Sequence, residues 1–488
     1  MEINSVQLIT TMATVGSGAN DGVYPPGGLL TIAKAIQNNF SSIQISIHDE
    51  HYGKIQINPE ADIVGIQVAS TLCYSNALKI AKQAKQADKI VVLGGPHVTA
   101  LYDNIMKHRP YIDFTIRGKG ERAFVELLKA IKQDNPLKDV PSLSWRNGKK
   151  IIHNDYDNQL WQFDDYTPLP LDMLTAGVGS YWSAFRATAQ QTIDASFLLF
   201  THFGCLYRQK RIDAMKKLGK SMFVNDSKTS FCSFCSLDDN PVVREPTAII
   251  SELKYYLDYY SIPKGAKIHL KCYGDNIGPQ ADLLERLANA IEASQWWNDY
   301  DMLWTFYCQS SYLNERIAKL LKKVGATRVF IGFDGVNDSI QRINGLGTSK
   351  KTHLRAVGLC LKYGIQIQAA SVVGLRGETP ESLEELYQFF KELRQHEGLL
   401  ERINSAIFFI IPNTPAYYLL IAKEPHIKNM DLLPTNEIRA LWLKHFCPEV
   451  NIEMLEDYAN KIDALSPGPH ASMGFRSSWI EGQNNFIK

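Results

Sequence analysis

The sequence predicts an α/β protein built from two successive arrays in which strands alternate with helices. Two observations carry this expectation. Short β-branched runs recur along most of the chain with segments of helical period between them. In addition, 488 residues with 45% hydrophobic content exceed one ordinary core and can fill two or three.

The first array spans residues 1–140. "VQLIT", "IQISIHDE", "DIVGIQVAS", "KIVVLGG" and "DFTIRGKG" are strand-like, while "LLTIAKAIQ", "NALKIAKQAKQA" and "ERAFVELLKAIKQ" carry apolar residues at helical spacing. Strand–helix alternation predicts a parallel sheet, and ligands of such sheets sit outside the carboxyl ends of the strands. Small and polar residues collect there: Tyr24-Pro25-Pro26-Gly27-Gly28, Ser70-Thr71-Leu72, Gly94-Gly95-Pro96-His97 and Gly118-Lys119-Gly120-Glu121. Each stretch reads either as a close approach for a large flat ligand or as an ordinary turn between strand and helix. Residues 141–195 are rich in turn residues and read as a linker packed against both neighbours.

The second array spans residues 196–415. Its strands are "FLLFTHFGC", "KIHLKCYGDN", "DMLWTFYCQ", "RVFIGFDG", "IQIQAASVVGL" and "SAIFFIIPNT", and helical segments such as "AIISELKYYLDYY" and "SLEELYQFFKELRQ" lie between them. Six consecutive units of this kind predict a barrel or partial barrel with its site at the carboxyl ends of the strands. Residues 416–488 are mixed in character.

A formal charge of +1, with both signs spread through the chain, points to neither a nucleic-acid nor a membrane partner. The start "MEINSVQLITTMATVGSG" has no basic, apolar and small-residue succession, and no window reaches the roughly 18 apolar residues of a membrane helix, so the expected location is cytoplasmic.

Eight cysteines without a secretion signal favour metal or catalytic roles for close pairs over a disulfide framework. Cys73, Cys272, Cys308, Cys360 and Cys447 stand singly and read as small buried hydrophobes. Cys232 and Cys235 can grip one metal ion or one cluster, and Cys205 ends the first strand of the second array. Recruiting Cys205 lengthens the closing loop from 3 to 26 residues, which costs only about 2 kcal/mol. A structural zinc site with a fourth ligand such as His202 uses the same cysteines.

At these residues the chain resembles the radical S-adenosylmethionine enzymes that carry an N-terminal cobalamin-binding domain. Gly204-Cys205-Leu206-Tyr207 is similar to the start of their CxxxCxxC motif and Phe231-Cys232-Ser233-Phe234-Cys235-Ser236 to its end, with residues 208–230 inserted between. "KCYGDNIG", "VFIGFDGVNDSIQRIN", "SVVGLRGETPESLEEL" and "IIPNTPAY" resemble successive motifs of the barrel, with Asp334 where glutamate is frequent and Arg376 in place of proline. "YPPGGLLTIAKAI", "ADIVGIQVAS", "VVLGGPHVTA" and "FTIRGKGERAFVELL" follow the cobalamin-binding pattern in order.

The resemblance implies a Rossmann-like cobalamin domain, a partial (β/α)6 TIM-type barrel and a mixed C-terminal extension over the substrate site. It implies a 4Fe-4S cluster on Cys205, Cys232 and Cys235, with one iron left for S-adenosylmethionine. Phe234, Gly274, Asp275, Asn276, Asp334 and Gly374 are the implied S-adenosylmethionine contacts. Tyr24, Pro25, Ser70, Thr71, Leu72, Gly94, Gly95, His97, Gly118, Gly120 and Glu121 are the implied cobalamin contacts. The loop "TMATVGSGANDGVYPP" lacks the histidine that other cobalamin domains supply to cobalt, and His51 has the wrong offset and reads as a solvated loop residue.

In the family, one-electron reduction cleaves S-adenosylmethionine to a 5′-deoxyadenosyl radical. The implied reaction is methylation of an unactivated carbon, or of a phosphinate phosphorus, in a small molecule or peptide, with electrons from a flavodoxin or ferredoxin. Ring contraction or cyclisation, a radical enzyme without cobalamin, and a non-enzymatic cobalamin or metal sensor are the alternatives. Tyr417, Trp442 and His470 are candidate substrate contacts. The insertion carries seven Lys/Arg, and Ile212, Met215 and Leu218 suggest a short amphipathic helix. It reads as a solvated excursion or as a cap that meets an acidic electron donor or an anionic substrate.

Overall fold

A computed structural model of the chain describes residues 2–13, 23–157, 159, 162–189, 192–208, 210, 232–236 and 242–467. They divide into two compact units, with the boundary in the chain between Thr192 and Ile193.

The first unit is organised by a seven-stranded sheet of order β2-β1-β3-β4-β5-β6-β7. Strands β1 (Ser5–Thr10), β2 (Gln44–Asp49), β3 (Ile63–Gln67), β4 (Ile90–Gly94) and β5 (Phe114–Ile116) pair in parallel. Helices α1 (Gly27–Asn39), α2 (Tyr74–Gln86), α3 (Pro96–His108) and α4 (Glu121–Gln133) return the chain between or after them. Every residue of β1 is buried, as expected for a central parallel strand. The order reverses between β1 and β3, which is where open parallel sheets leave a crevice for ligand.

Two expectations need correction here. The sheet is mixed, and residues 141–195 are more than a linker. β6 (Leu143–Asn147) pairs antiparallel with β5, and β7 (Lys150–His153) with β6. The two-residue loop between them is Gly148-Lys149, with Gly148 at φ 59°, and glycine in the first loop position suits a tight hairpin. Helix α5 (Val178–Ala189) then packs on the end of β2, where Tyr181 donates its hydroxyl to Asp49 Oδ2 at 3.0 Å. His51 is docked rather than solvated, its Nδ1 lying 2.7 Å from Asp49 Oδ1.

The second unit holds six parallel strands in strict chain order, β8 (Ala195–Phe200), β11 (Lys267–Tyr273), β12 (Asp301–Tyr307), β13 (Ala326–Gly332), β14 (Gln366–Val373) and β15 (Leu400–Ile407), with β8 and β15 at the edges. A two-residue antiparallel ladder of β9 (His202–Phe203) and β10 (Val242–Val243) closes the neck of the excursion that follows β8. Helices α6 (Pro246–Tyr259), α7 (Ala281–Ala293), α8 (Glu315–Lys323), α9 (Asp338–Ile343), α10 (Lys350–Tyr363) and α11 (Pro380–Arg394) alternate with the strands. Capping boxes at Ser349 and Thr379 start α10 and α11, each worth about 1 kcal/mol. One face of the sheet packs aromatic residues against helices, for example Phe197 on Tyr256 at 5.4 Å.

The last strand starts earlier than the apolar run "SAIFFIIPNT" suggests. Its first half, "LERIN", is masked by charge, yet Glu401 faces the buried Arg328 at 3.6 Å. The C-terminal helices α12 (Pro415–Lys423), α13 (Thr435–Phe446) and α14 (Ile452–Asp463) follow. Asp463 and Ser466 accept the edge N–H groups of Ser405 and Ile403, so the last turn of α14 and its exit cover the open edge of β15. No described helix is long and apolar enough to cross a membrane.

Candidate functional site at the carboxyl ends of the strands

The excursion after β8 brings the separated cysteines together. Tyr207 packs against both Cys205 and Cys232, so the inserted stretch leaves and returns to neighbouring points. Tyr207 is in turn seated on the loop after α9. Its hydroxyl donates to Gly345 O at 2.8 Å, and a Cβ at Gly347, where φ is 70°, would lie 2.5 Å from the tyrosine ring. Glycine at 347 is therefore required twice, for its conformation and for its missing side chain.

Cys232, Ser233, Phe234 and Cys235 form a turn closed by the Cys235 N–H on Cys232 O at 3.1 Å, with Phe234 half-buried. Burial pushes the Cys232 thiol well up, and the charges of Cys235, Cys205 and Asp334 push it further. Burial also raises Cys205, opposed by the N–H groups of Arg208 and Tyr207 and by the Asn276 side chain, all directed at its sulfur. As free thiols these groups hold their protons at neutral pH, and a metal would displace them. Among the described residues no three His, Cys, Asp or Glu side chains converge on one metal ion. That is the wrong geometry to seek for a cluster, whose thiolates bind separate irons.

Asp334 is half-buried at the end of β13 and its carboxyl is pushed up to about 7 by burial, against the Val372 N–H that stabilises its charge. Asp275 lies close enough to Cys205 for its charge to raise the thiol. Asn276 is buried and already employed. Its Oδ1 accepts the N–H groups of Gly278 at 3.2 Å and Gln309 at 3.0 Å, tying the loop after β11 to the end of β12.

Gly274 presses on His202, and a Cβ there would stand 2.2 Å from the imidazole. The Asn276 N–H donates to His202 Nε2 at 3.3 Å, which leaves the ring proton on Nδ1, 2.9 Å from Thr201 Oγ1. Burial lowers this histidine to about 4, so it is neutral. With both ring nitrogens engaged, His202 is not available as a fourth zinc ligand.

Gly374 is a platform for the C-terminal helices. Its carbonyl accepts Trp442 Nε1 at 2.9 Å, and Leu455 lies 2.9 Å from where a Cβ would be. Trp442 and Tyr417 are buried packing residues, and His470 lies outside the described residues together with most of the insertion, including Ile212, Met215 and Leu218. The five single cysteines are all buried. Sequence reasoning missed Tyr207, Ser233, Gln309 and Asn344 as parts of this site. Tyr207, Ser233 and Asn344 stand inside the motif stretches quoted above, and Gln309 ends the strand segment "DMLWTFYCQ", but their contacts are not readable from spacing.

In the first unit, the residues singled out as cobalamin contacts lie before α1, at the last residue of β4, or after β3, β4 and β5. Tyr24 is half-buried with its ring 6.1 Å from Phe185, and Pro25 is buried. Ser70 precedes a 3-10 turn over Thr71–Cys73 in which Leu72 is buried. The Thr71 hydroxyl lies 3.0 Å from His97 Nδ1, whose ring packs at a tilt with its centroid 4.4 Å from that of Tyr74. His97 is lowered to about 3 by burial, and its Nε2 meets no hydrogen-bond partner among the described residues. Thr99 Oγ1 bridges Gly95 O and the Gly118 N–H, and Gly120 leads into α4, where Glu121 accepts from Thr31 at 2.6 Å. Gly95 and Gly118 are closed in by Val68 O and the Tyr156 hydroxyl, whereas at Gly94 the nearest atom to an added Cβ is 3.8 Å away.

Comparison with known proteins agrees with this division. Residues 17–128 match the B12 binding domain and residues 229–390 the Radical SAM superfamily, the second match taking in Cys232 and Cys235 but not Cys205. The chain is 25% identical to an uncharacterized methyltransferase of Pyrococcus horikoshii over 76% of its length and 73% of that protein. It is 23% identical to the anaerobic magnesium-protoporphyrin IX monomethyl ester cyclase of Rubrivivax gelatinosus over 68% of its length, spanning about half, 54%, of that enzyme.

Among solved structures, the radical S-adenosylmethionine methyltransferase TsrM of Kitasatospora setae, with cobalamin and a [4Fe-4S] cluster bound, superimposes with a TM-score of 0.61 at 16% identity, over 86% of this chain and 76% of that one. The cobalamin-dependent S-adenosylmethionine radical enzyme OxsB gives 0.61 at 14% identity, over 95% of this chain and 66% of that one. The chain therefore carries a Radical SAM superfamily match behind an N-terminal B12 binding domain match, and its likeness to TsrM and OxsB at 16% and 14% identity is a likeness of fold.

Proposed function

We propose that the chain is a methyltransferase that acts on an unactivated carbon of a small molecule or peptide, with phosphinate phosphorus as the other acceptor class. Residues 1–140 would form the Rossmann-like core of a cobalamin domain, which residues 141–195 extend with the β6–β7 hairpin and α5, 196–415 a partial (β/α)6 TIM-type barrel, and 416–488 a cap. The order 2-1-3-4-5 of the parallel strands in one sheet and the strict sequential order in the other support this reading.

The observation that carries the proposal is Tyr207 touching Cys205 and Cys232 at once, which reunites an interrupted cluster motif. Cys205, Cys232 and Cys235 would hold a 4Fe-4S cluster. Phe234, Gly274, Asp275, Asn276, Asp334 and Gly374 would surround S-adenosylmethionine. Among these, Asp275 and Asp334 offer charged acceptors beside the cysteines, while Asn276, Gly274 and Gly374 shape the surrounding loops. When bound, these groups supply one-electron cleavage of a sulfonium, and cobalamin supplies a transferable methyl group.

The protein's own contribution is positional. Three N–H donors on the Cys205 sulfur favour its thiolate, and the buried turn at Ser233 keeps water from its neighbours. A corrinoid would be received beside the buried His97 Nε2, which has no partner among the described residues, and beside Gly94, where an added Cβ meets nothing nearer than 3.8 Å, and the residues named above would line it. A flavodoxin or ferredoxin would serve as electron donor.

The test is anaerobic reconstitution of the wild type and Cys205→Ala, with iron and sulfide quantification, Mössbauer spectroscopy, and assay of 5′-deoxyadenosine under dithionite. We expect a four-iron cluster and cleavage in the wild type. In the variant, cleavage falls by more than the ~100-fold that losing an outer-shell partner costs. An unchanged cluster in the variant overturns Cys205 as a ligand, and bound zinc without cleavage overturns the radical reading. Retention of a corrinoid spectrum after gel filtration tests the first unit, and a protein that keeps none is a radical enzyme without cobalamin.

A further inference from the structure

We propose that Asn344 is the positioning residue of the cluster site. It holds the Cys232–Cys235 turn against the loops that would carry S-adenosylmethionine, so that cluster electronics and cofactor affinity are set together. The inference rests on the cluster reading above and extends it to a residue that binds neither iron nor cofactor.

Asn344 follows α9 and is fully buried, as is Ser233, the residue after Cys232. The two are joined twice. The Ser233 hydroxyl donates to Asn344 Oδ1 at 2.8 Å, and the Ser233 N–H donates to Asn344 O at 2.9 Å. The remaining Ser233 acceptor, its carbonyl, takes the Ala416 N–H at 2.9 Å from the first turn of α12. Every polar group of Ser233 is thus committed, and the turn has no freedom to shift alone.

The Asn344 amide nitrogen looks the other way. It donates to Ile340 O and to Arg376 O, both at 2.9 Å, and so fastens the end of α9 to the loop after β14. Only an amide can accept from the turn and donate to two carbonyls at once.

The same loop reaches the other half of the motif. Gly345 O accepts the Tyr207 hydroxyl, and Leu346 O accepts Gln309 Nε2 at 2.5 Å. The Gln309 N–H donates to Asn276 Oδ1, and the Asn276 side chain donates to the Cys205 sulfur. A continuous hydrogen-bonded path therefore runs from the Cys232–Cys235 turn through residues 344–346 to Cys205. Outer-shell partners of this kind orient the ligands, and hydrogen bonding around a cluster tunes its reduction potential.

Wild type, Asn344→Ala and Ser233→Ala are reconstituted anaerobically. Iron content, reduction potential and the electron paramagnetic resonance of the reduced cluster are then recorded during titration with S-adenosylmethionine. We expect both variants to bind iron with a displaced potential and altered spectrum, and to need ~10-fold or more S-adenosylmethionine for half the spectral response. Loss of the cluster from a folded Ser233→Ala chain supports the same assignment. If Asn344→Ala does not fold, Ser233→Ala decides, because it removes a single hydrogen bond. Variants that match the wild type in potential, spectrum and titration overturn the inference alone. A wild type that takes up no four-iron cluster overturns the underlying reading and the inference with it.

Discussion

The carboxyl ends of the two sheets are prepared for ligand in different ways. In the second unit the polar side chains at the site satisfy one another: His202 with Thr201 and Asn276, Asn276 with Gln309, Ser233 with Asn344. In the first unit a buried imidazole nitrogen, His97 Nε2, meets no partner among the described residues, and at Gly94 an added Cβ meets nothing nearer than 3.8 Å. Buried polar atoms rarely stay unpaired, so His97 Nε2 is a place where a further group could be received. The comparison teaches that the named side chains of one end are held by their own hydrogen bonds, while the described residues of the other leave His97 Nε2 without one.

The largest expected effect tests the end held by its own hydrogen bonds. Arg244 follows β10, donates to Phe200 O at the end of β8, and forms a buried ion pair with Glu252 at 2.7 Å, which locks the neck of the cysteine excursion. Glu252→Gln leaves the guanidinium buried without its anion. Denaturant titration of the variant will show a loss of about 3–5 kcal/mol. A loss below about 1 kcal/mol would mean that the neck is not a rigid anchor.

Acid separates the two ends next, because each buries an ionisable group of opposite kind. His97 is held at about 3 against an ordinary 6.5, so the unfolded chain binds the extra proton. Its contribution to stability is full above pH 6.5 and is lost as pH falls toward 3. At pH 5 the loss amounts to about 2 kcal/mol.

Glu378, which accepts the Gly374 N–H and the Ser382 hydroxyl, is raised to about 7 from 4.5 by burial. Here the folded chain keeps the proton longer. The contribution is full below pH 4.5 and is lost as pH rises through 7, by about 3 kcal/mol in all. Stability measured from pH 5 to 8 should therefore flatten on the acid side in His97→Phe and on the alkaline side in Glu378→Gln. Parallel curves for wild type and variants would break the contrast.

Paired glycine substitutions sharpen it further. Gly274→Ala drives a methyl group into the His202 ring and should cost about 1–3 kcal/mol in the cofactor-free protein. Gly94→Ala places a methyl group at an ordinary van der Waals distance from Ile116 O and should change stability by less than about 0.5 kcal/mol, while weakening corrinoid retention. Equal thermal shifts in the two variants would show that both ends are packed alike.

The smallest effect concerns how the first sheet is closed. Gly148→Ala at φ 59° in the β6–β7 turn should cost about 1 kcal/mol and leave cofactor binding unchanged. Slower corrinoid uptake in that variant would extend the ligand end to the hairpin.

Local physics made much of the architecture legible. Alternation of strand and helix periods predicted two α/β arrays, and the strands appear in the predicted order because side-chain period is a property of neighbours in sequence. The hairpin at 143–153 is not evident from the sequence, although Gly148 heads its two-residue loop, because both strands are short and lie in a turn-rich segment. The start of β15 was missed because Glu401 and Arg402 look solvated until the buried Arg328 supplies a partner for the glutamate. The cysteine spacing and the placement of the glycines and His97 near the strand ends were legible from residue type and position.

The tertiary structure alone decided how these residues are used. It set Cys232 beside Tyr207, gave both nitrogens of His202 to neighbours, made Gly374 a seat for Trp442, and placed Asn344 between the two halves of the cysteine motif. Each outcome depends on a hydrogen bond or a close approach between segments far apart in the chain. The fold creates these when it brings the strand ends together, and local spacing in a sequence carries no record of them.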